Sequence, residues 1–149
     1  MKKTKVLMVC LGNICRSPLA EGILQSMVDP EKVFVDSAGT GGYHIGNPPD
    51  ARSIAVARKH SLNIENQRCR QFKAHDFAEF DVIYAMDQSN YNNIRALAAS
   101  KSDREKVKLL LSEVNVGVKE VPDPYWDDDG FEKVYQLIES ACEVIAEKL

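Results

Sequence analysis

The sequence predicts an α/β protein: a doubly wound, open parallel sheet of four strands flanked by helices on both faces. Three observations carry that reading. Val6-Leu7-Met8-Val9-Cys10 is an unbroken apolar run, the pattern of a strand buried on both faces of a parallel sheet. Further short apolar runs alternate along the chain with segments whose apolar residues recur at helical spacing, as in right-handed strand–helix–strand crossovers. The Gly12-Asn13 turn then separates the first strand from a Ser17-Pro18 helix start, placing a loop where such folds bind ligands, beyond the carboxyl ends of the strands.

The elements follow in order. Ser17 is the expected N-cap of the first helix and Pro18 its first residue, where a missing N–H does no harm. Leu19, Ile23 and Met27, beside Ala20, Leu24 and Val28, mark its apolar face, and Asp29-Pro30 ends it. Val33-Phe34-Val35 predicts strand two, followed by a Gly- and Pro-rich loop from Ser37 to Pro49 that carries Tyr43. Ala51–His60 predicts a second helix capped by Asp50, and Val82–Met86 strand three. Another helix starts near Ser89 with Asp87 as its cap. Val107–Leu111 predicts strand four, Val121–Gly130 a second loop, and Phe131–Lys148 a long amphipathic helix.

A chain of 149 residues, 44% hydrophobic and 28% charged, has the balance of one globular domain, residues 1–149. The formal charge of −3 offers no basic stripe, so no nucleic-acid partner is expected. The charged start Met1–Lys5 leads into an apolar run that breaks at Gly12-Asn13, too short for an export signal. No stretch reaches membrane-spanning length, so a soluble, cytoplasmic protein with no membrane partner is expected. Cys10, Cys15, Cys69 and Cys142 lack zinc-site spacing and are expected as thiols, with no metal or cofactor.

The loop Cys10–Ser17, C-L-G-N-I-C-R-S, carries the chemistry. Backbone N–H groups between a strand end and a helix start curl into an anion-binding nest, to which the helix N-terminus adds its positive end. Leu11, Gly12, Asn13, Ile14, Cys15, Arg16 and Ser17 are therefore the expected phosphate-binding residues, with Gly12 and Asn13 tolerant of positive φ. Arg16 adds a planar fork that matches two phosphoryl oxygens. The same donors favour thiolate over thiol at Cys10, making it a nucleophile. Taken singly, Cys10 reads rather as a core residue finishing a strand and Arg16 as a surface charge. Together, between a buried strand and a Ser-Pro helix start, they read as a site. No Gly-Lys-Ser/Thr follows the turn, so the Walker pattern is absent.

Attack on phosphorus needs a proton donor for the leaving oxygen. Asp123, in the proline-stiffened Val121-Pro122-Asp123-Pro124-Tyr125-Trp126, is the candidate, although Asp-Pro is also a common turn element. His44, His60 and His75 read as surface residues, and Asp127-Asp128-Asp129 as a solvated run before the last helix.

These residues resemble the low-molecular-weight protein tyrosine phosphatases over nearly the whole chain. The likeness lies in V-C-L-G-N-I-C-R-S-P-L-A-E at Val9–Glu21, D-S-A-G at Asp36–Gly39, M-D-Q-S-N at Met86–Asn90 and D-P-Y at Asp123–Tyr125. The resemblance implies hydrolysis of phosphotyrosine in protein substrates, and of small aryl phosphates, with inorganic phosphate as product and no metal. Catalysis would fall to Cys10, Arg16 and Asp123: Cys10 becomes phosphorylated, while Asp123 protonates the phenol and later activates water. Ser17 would donate to the Cys10 sulfur, and Asn13 would hold the loop in shape. Leu11, Ile14, Tyr43 and Tyr125 would wall the substrate slot, with His44 and Trp126 at its rim. Without the family, Tyr43 and Tyr125 are loop aromatics compatible with binding or with packing. Cys15 reads either as a packed loop residue or, as in the family, as a thiol that pairs with Cys10 under oxidation. A monomer or weak homodimer is expected.

Alternatives on the same fold are an arsenate reductase, for which Cys69 is the sole mid-chain thiol, and a protein-arginine phosphatase, whose members tend to carry Thr where Ile14 stands. A non-catalytic phosphate-binding module would keep the nest and Arg16 but would need neither Cys10 nor Asp123.

Overall fold

The computed structural model describes residues 2–149; Met1, the first residue of the charged start, lies outside them. Strand β1 (Thr4–Cys10) is central and pairs in parallel with β2 (Val33–Gly39) and β3 (Val82–Ala85); β3 pairs with β4 (Val107–Leu109), giving the order β2-β1-β3-β4. Because β1 is covered on both faces, Val6, Leu7, Met8 and Val9 are all fully buried, which accounts for their unbroken apolarity.

Strand alternation divides the core in two. On one face Val6 and Met8 of β1, Val33 and Val35 of β2 and Tyr84 of β3 pack against α1 (Arg16–Met27), α2 (Ala51–Lys59) and α6 (Phe131–Lys148). On the other face Leu7, Val9, Ile83 and Ala85 meet Phe72, Phe77, Phe80 and Ile94, from α3 (Asp76–Glu79), α4 (Gln88–Ala96) and their flanking loops. Each fully buried Leu or Ile here contributes about 1.5–3 kcal/mol relative to exposure. The one-turn helices α3 and α5 (Lys101–Glu105) were not expected, since four or five residues are too few to display a helical period.

Several boundaries move for physical reasons. β2 extends to Gly39 because Ser37, Ala38 and Gly39 pair with Met8, Val9 and Cys10, taking three residues from the expected loop. β4 ends at Leu109, and Leu110–Glu113 forms a 3₁₀ turn that buries Leu110 and Leu111. α1 begins at Arg16 with Cys15 as its N-cap, so Ser17 is not the cap and Pro18 is not the first residue. The Ser17 hydroxyl is already engaged, 3.0 Å from the Cys10 sulfur and 2.8 Å from Asn13 Nδ2. Asp50 and Asp87 do cap α2 and α4, accepting from the N–H groups of Arg52 and Asn90.

The strand order reverses between β1 and β3. There the loop after β1, Asp87 after β3 and the chain returning from β4 converge, joined by Met86 N–H to Val9 O at 3.1 Å and Val121 N–H to Met86 O at 2.8 Å.

Candidate active site

Cys10 ends β1 at the floor of this crevice, and the next residues turn their carbonyls outward. Cys10 O accepts from Thr40 N–H, Leu11 O from Gly41 N–H, Ile14 O from Asp50 N–H and Asn13 O from the Cys69 thiol, at 2.8–2.9 Å. With the carbonyls satisfied outside, the N–H groups of Gly12, Ile14, Cys15 and Arg16 have no protein acceptor among the described residues, the condition for an anion nest. The first turn of α1 carries no side-chain cap, so its orphan N–H groups add to it. Asn13 N–H points at Cys10 Sγ, 3.2 Å away.

The positive φ falls on Asn13 (+58°), not on Gly12. Asn13 is held there on all sides: its Nδ2 donates to Ser17 Oγ and Ser37 Oγ, and its Oδ1 accepts from Arg70 N–H. Ser37 in turn donates to Glu21 Oε1 at 2.7 Å. Ser17 Oγ accepts from Asn13 Nδ2 and lies 3.0 Å from the Cys10 sulfur, with Ala38 O as a longer acceptor at 3.4 Å. Gly12 has an ordinary φ, and a Cβ there would lie 3.2 Å from His44 Cδ2, a close approach to a partly buried side chain.

Arg16 is 3% exposed, and its Nη1 donates to Asp87 Oδ2 at 2.7 Å and to Val121 O at 2.9 Å. Burial works against its charge, but the Cys10 sulfur first, then Asp87 and Asp123, outweigh that and hold it above its usual value. Asp123 Oδ2 lies 3.8 Å from Arg16 Nη2, and its Oδ1 accepts from Tyr125 N–H, an Asx turn that fixes the carboxylate at the mouth. Burial, followed by Asp50 and Cys10, pushes the Cys15 thiol up to about 12.

Cys10, Leu11, Gly12, Ile14, Cys15, Arg16, Tyr43, His44, Asp123, Tyr125 and Trp126 line one cavity of about 370 Å³. The side chains of Asn13 and Ser17, expected as phosphate ligands, do not line it; both are buried and bonded to one another on the inner side of the loop. The aromatic walls are open: Tyr43 is 73% and Trp126 86% exposed, with Tyr125 and Trp126 packed edge to face at 4.8 Å. His75 is exposed as expected. His60 is not a bare surface residue, because it stacks on Tyr135 at 3.9 Å and bonds to Glu132.

Sequence reasoning missed several residues around the loop. Asp87 was read only as a cap, yet its second oxygen holds Arg16. Ser37 and Gly39 lie in the D-S-A-G run, whose composition alone points to no role. A Cβ on Gly39 would sit 2.7 Å from Leu11 O, so the Cys10–Ser17 loop rests directly on its backbone. Arg70 bridges Asp36 and Asp76 and supports Asn13 from behind; no local pattern announces it. Among the described residues, no helix is long and apolar enough to cross a membrane.

Comparison with known proteins agrees with this geometry. Residues 5–149 match the family model described as low molecular weight phosphotyrosine protein phosphatase. The low molecular weight protein-tyrosine-phosphatase YfkJ of Bacillus subtilis is 40% identical over 142 residues, covering 93% of this chain and 90% of its own. The crystal structure of YfkJ superposes with a TM-score of 0.92 at 38% identity, covering 99% of this chain and 95% of its own. A protein tyrosine phosphatase of Entamoeba histolytica, solved with Hepes in its active site, gives 0.92 at 35% identity over 98% and 96%. The chain belongs to the low molecular weight phosphotyrosine protein phosphatases, hydrolases that act on phosphoric monoesters.

Proposed function

We propose that this chain hydrolyses phosphotyrosine in protein substrates through a phosphocysteine on Cys10. One observation carries the reading: a sulfur ringed by inward N–H groups and Arg16 faces Asp123 across a cavity walled by aromatic rings. The phosphoryl oxygens lie in the nest and on the Arg16 fork, which is oriented by Asp87 and Val121 O. The Cys10 thiolate attacks phosphorus in line. The P–O bond to the phenol breaks, and Asp123 gives the leaving oxygen its proton. In the second step Asp123, now a carboxylate, takes a proton from water as that water attacks phosphorus. The S–P bond breaks, inorganic phosphate leaves, and the Ser17 hydroxyl stabilises the departing sulfur. Leu11, Ile14, Tyr43 and Tyr125 wall the phenol ring, with His44 and Trp126 at the rim.

The chain acts as one domain in the cytoplasm, as a monomer or weak homodimer, without a metal, and with neither nucleic acid nor membrane as partner. Cys15 serves as the resolving thiol. Peroxide converts Cys10 to a sulfenic acid, which condenses with the Cys15 thiol, releasing water and forming a disulfide that added thiol reduces. Equal recovery of parent and Cys15→Ser after peroxide and thiol would remove that role.

A panel of phosphotyrosine, phosphoserine and phosphoarginine peptides tests the main reading. Phosphotyrosine is the preferred substrate. Cys10→Ser abolishes turnover, and Asp123→Ala lowers it by about 10²- to 10⁴-fold. Preference for phosphoarginine, or phosphate release that survives Cys10→Ser, overturns the reading; thioredoxin-coupled arsenate reduction would favour the reductase instead.

A further inference from the structure

We propose that Arg52 is the positioning residue for the loop that carries Asp123, clamping it over the phosphate loop so that proton transfer to poor leaving groups depends on it. This rests on the reading of Asp123 as the general acid.

Between Val121 and Phe131 the chain has little apolar anchorage. Pro124 is the one buried residue in that stretch, and Trp126 points into solvent. Upstream of Asp123 the loop is held by Val121, through Met86 O and Arg16. Downstream, one side chain from another element touches each successive piece. Arg52, in the first turn of α2, places its guanidinium carbon 5.4 Å from the Tyr125 ring centroid and 4.7 Å from that of Phe131, and pairs its Nη1 with Asp128. The same guanidinium is aimed by Asp50, which accepts from Nε at 3.0 Å and from Nη2 at 2.9 Å.

Asp50 also ties the clamp to the other half of the site. Its backbone N–H donates to Ile14 O at 2.8 Å, so the residue that orients Arg52 is itself bonded to the phosphate loop. Through Arg52 and Asp50, the loop of Asp123 and the loop of Cys10 are referenced to one point. Only arginine suits this position, because a planar fork reaches two carboxylates while stacking on rings, whereas lysine offers one point charge. Asp128, at first sight part of a solvated acidic run, is the loop's side of the clamp.

General-acid catalysis requires the carboxyl within hydrogen-bond reach of the leaving oxygen, and displacement by about 1 Å costs up to ~100-fold. Loosening the clamp should therefore hurt substrates in proportion to their need for a proton. The test measures kcat/KM, which reports phosphocysteine formation, for aryl phosphates from 4-nitrophenyl phosphate to phenyl phosphate and phosphotyrosine. The proteins are the parent, Arg52→Met, Arg52→Lys, Asp128→Asn and Asp123→Ala. Arg52→Met is expected to lose about 10- to 100-fold on phenyl phosphate and phosphotyrosine but no more than about threefold on 4-nitrophenyl phosphate. Arg52→Lys falls between it and the parent. Asp128→Asn, on an exposed carboxylate, gives the same pattern with smaller losses and decides the matter if Arg52→Met does not fold.

A loss by Arg52→Met and Asp128→Asn that is uniform across the series, or no loss, overturns the proposal while leaving Asp123 in place. A uniform loss in Asp123→Ala overturns the general-acid reading itself, and the clamp's role with it.

Discussion

Glutamine in place of Glu21 removes a pH dependence that this carboxyl imposes on stability. Glu21 lies in α1 and accepts from the Ser37 hydroxyl at 2.7 Å. Burial pushes it up to about 7; the Ser37 bond opposes this, Asp36 adds to it and Arg70 opposes it. In the unfolded chain the carboxyl titrates near 4.3. The folded state thus holds this proton more tightly, and the stabilisation is complete below about pH 4.3 and lost as pH rises through about 7. The difference between those two values is worth about 4 kcal/mol, of which about 3 kcal/mol falls between pH 4.5 and 8. The glutamine carbonyl still accepts from Ser37 but does not titrate. Urea unfolding of parent and Glu21→Gln is followed by far-UV circular dichroism from pH 4.5 to 8, since the single tryptophan, Trp126, is too exposed to report folding well. The parent should lose about 3 kcal/mol relative to the variant across that range. Glu132, drawn down to about 2 chiefly by its bond from Gln136, acts only at lower pH and cancels between the two proteins. A parent-minus-variant difference that stays flat would refute the reasoning.

Three further outcomes follow from the geometry. Gly39→Ala presses a methyl against Leu11 O and Asn13 N, backbone atoms that cannot swing aside; it should cost about 1–3 kcal/mol in urea unfolding and lower kcat/KM for an aryl phosphate. Asp87→Asn keeps an oxygen to cap α4 but loses the charge facing Arg16, so Asp87→Ala should be less stable than it by about 1 kcal/mol, both showing weakened competitive inhibition by phosphate. Trp126→Ala, on a side chain 86% exposed, should leave stability within about 0.5 kcal/mol while raising KM for aryl phosphates, read from parallel unfolding and steady-state kinetics.

The long elements were legible because their signals are local. β1 reads as a central strand from five consecutive apolar residues, and α6 as a helix from a repeat carried over 18 residues. The site was legible for a related reason: Cys10, the turn and Arg16 lie within one short loop, and Asp123 within one proline-bounded turn. The weaker boundaries failed where pairing overruled pattern. Ser37-Ala-Gly39 has no strand composition, yet it joins β2 because β1 offers it a ladder. Ser17 looks like a cap and instead turns inward to Cys10 and Asn13.

Chain order alone therefore sufficed for the four strands and the longer helices and for picking out the candidate nucleophile, cradle and acid, since each of these is written in neighbouring residues. Folding settled everything that depends on partners far apart in the chain: Asp87 on Arg16 across 71 positions, Arg70 on Asn13 across 57, Arg52 on Asp128 across 76. A charge or a hydrogen bond acts over a few ångströms of space. Which residues come that close is a property of the packed sheet and its crossovers, and no local spacing encodes it.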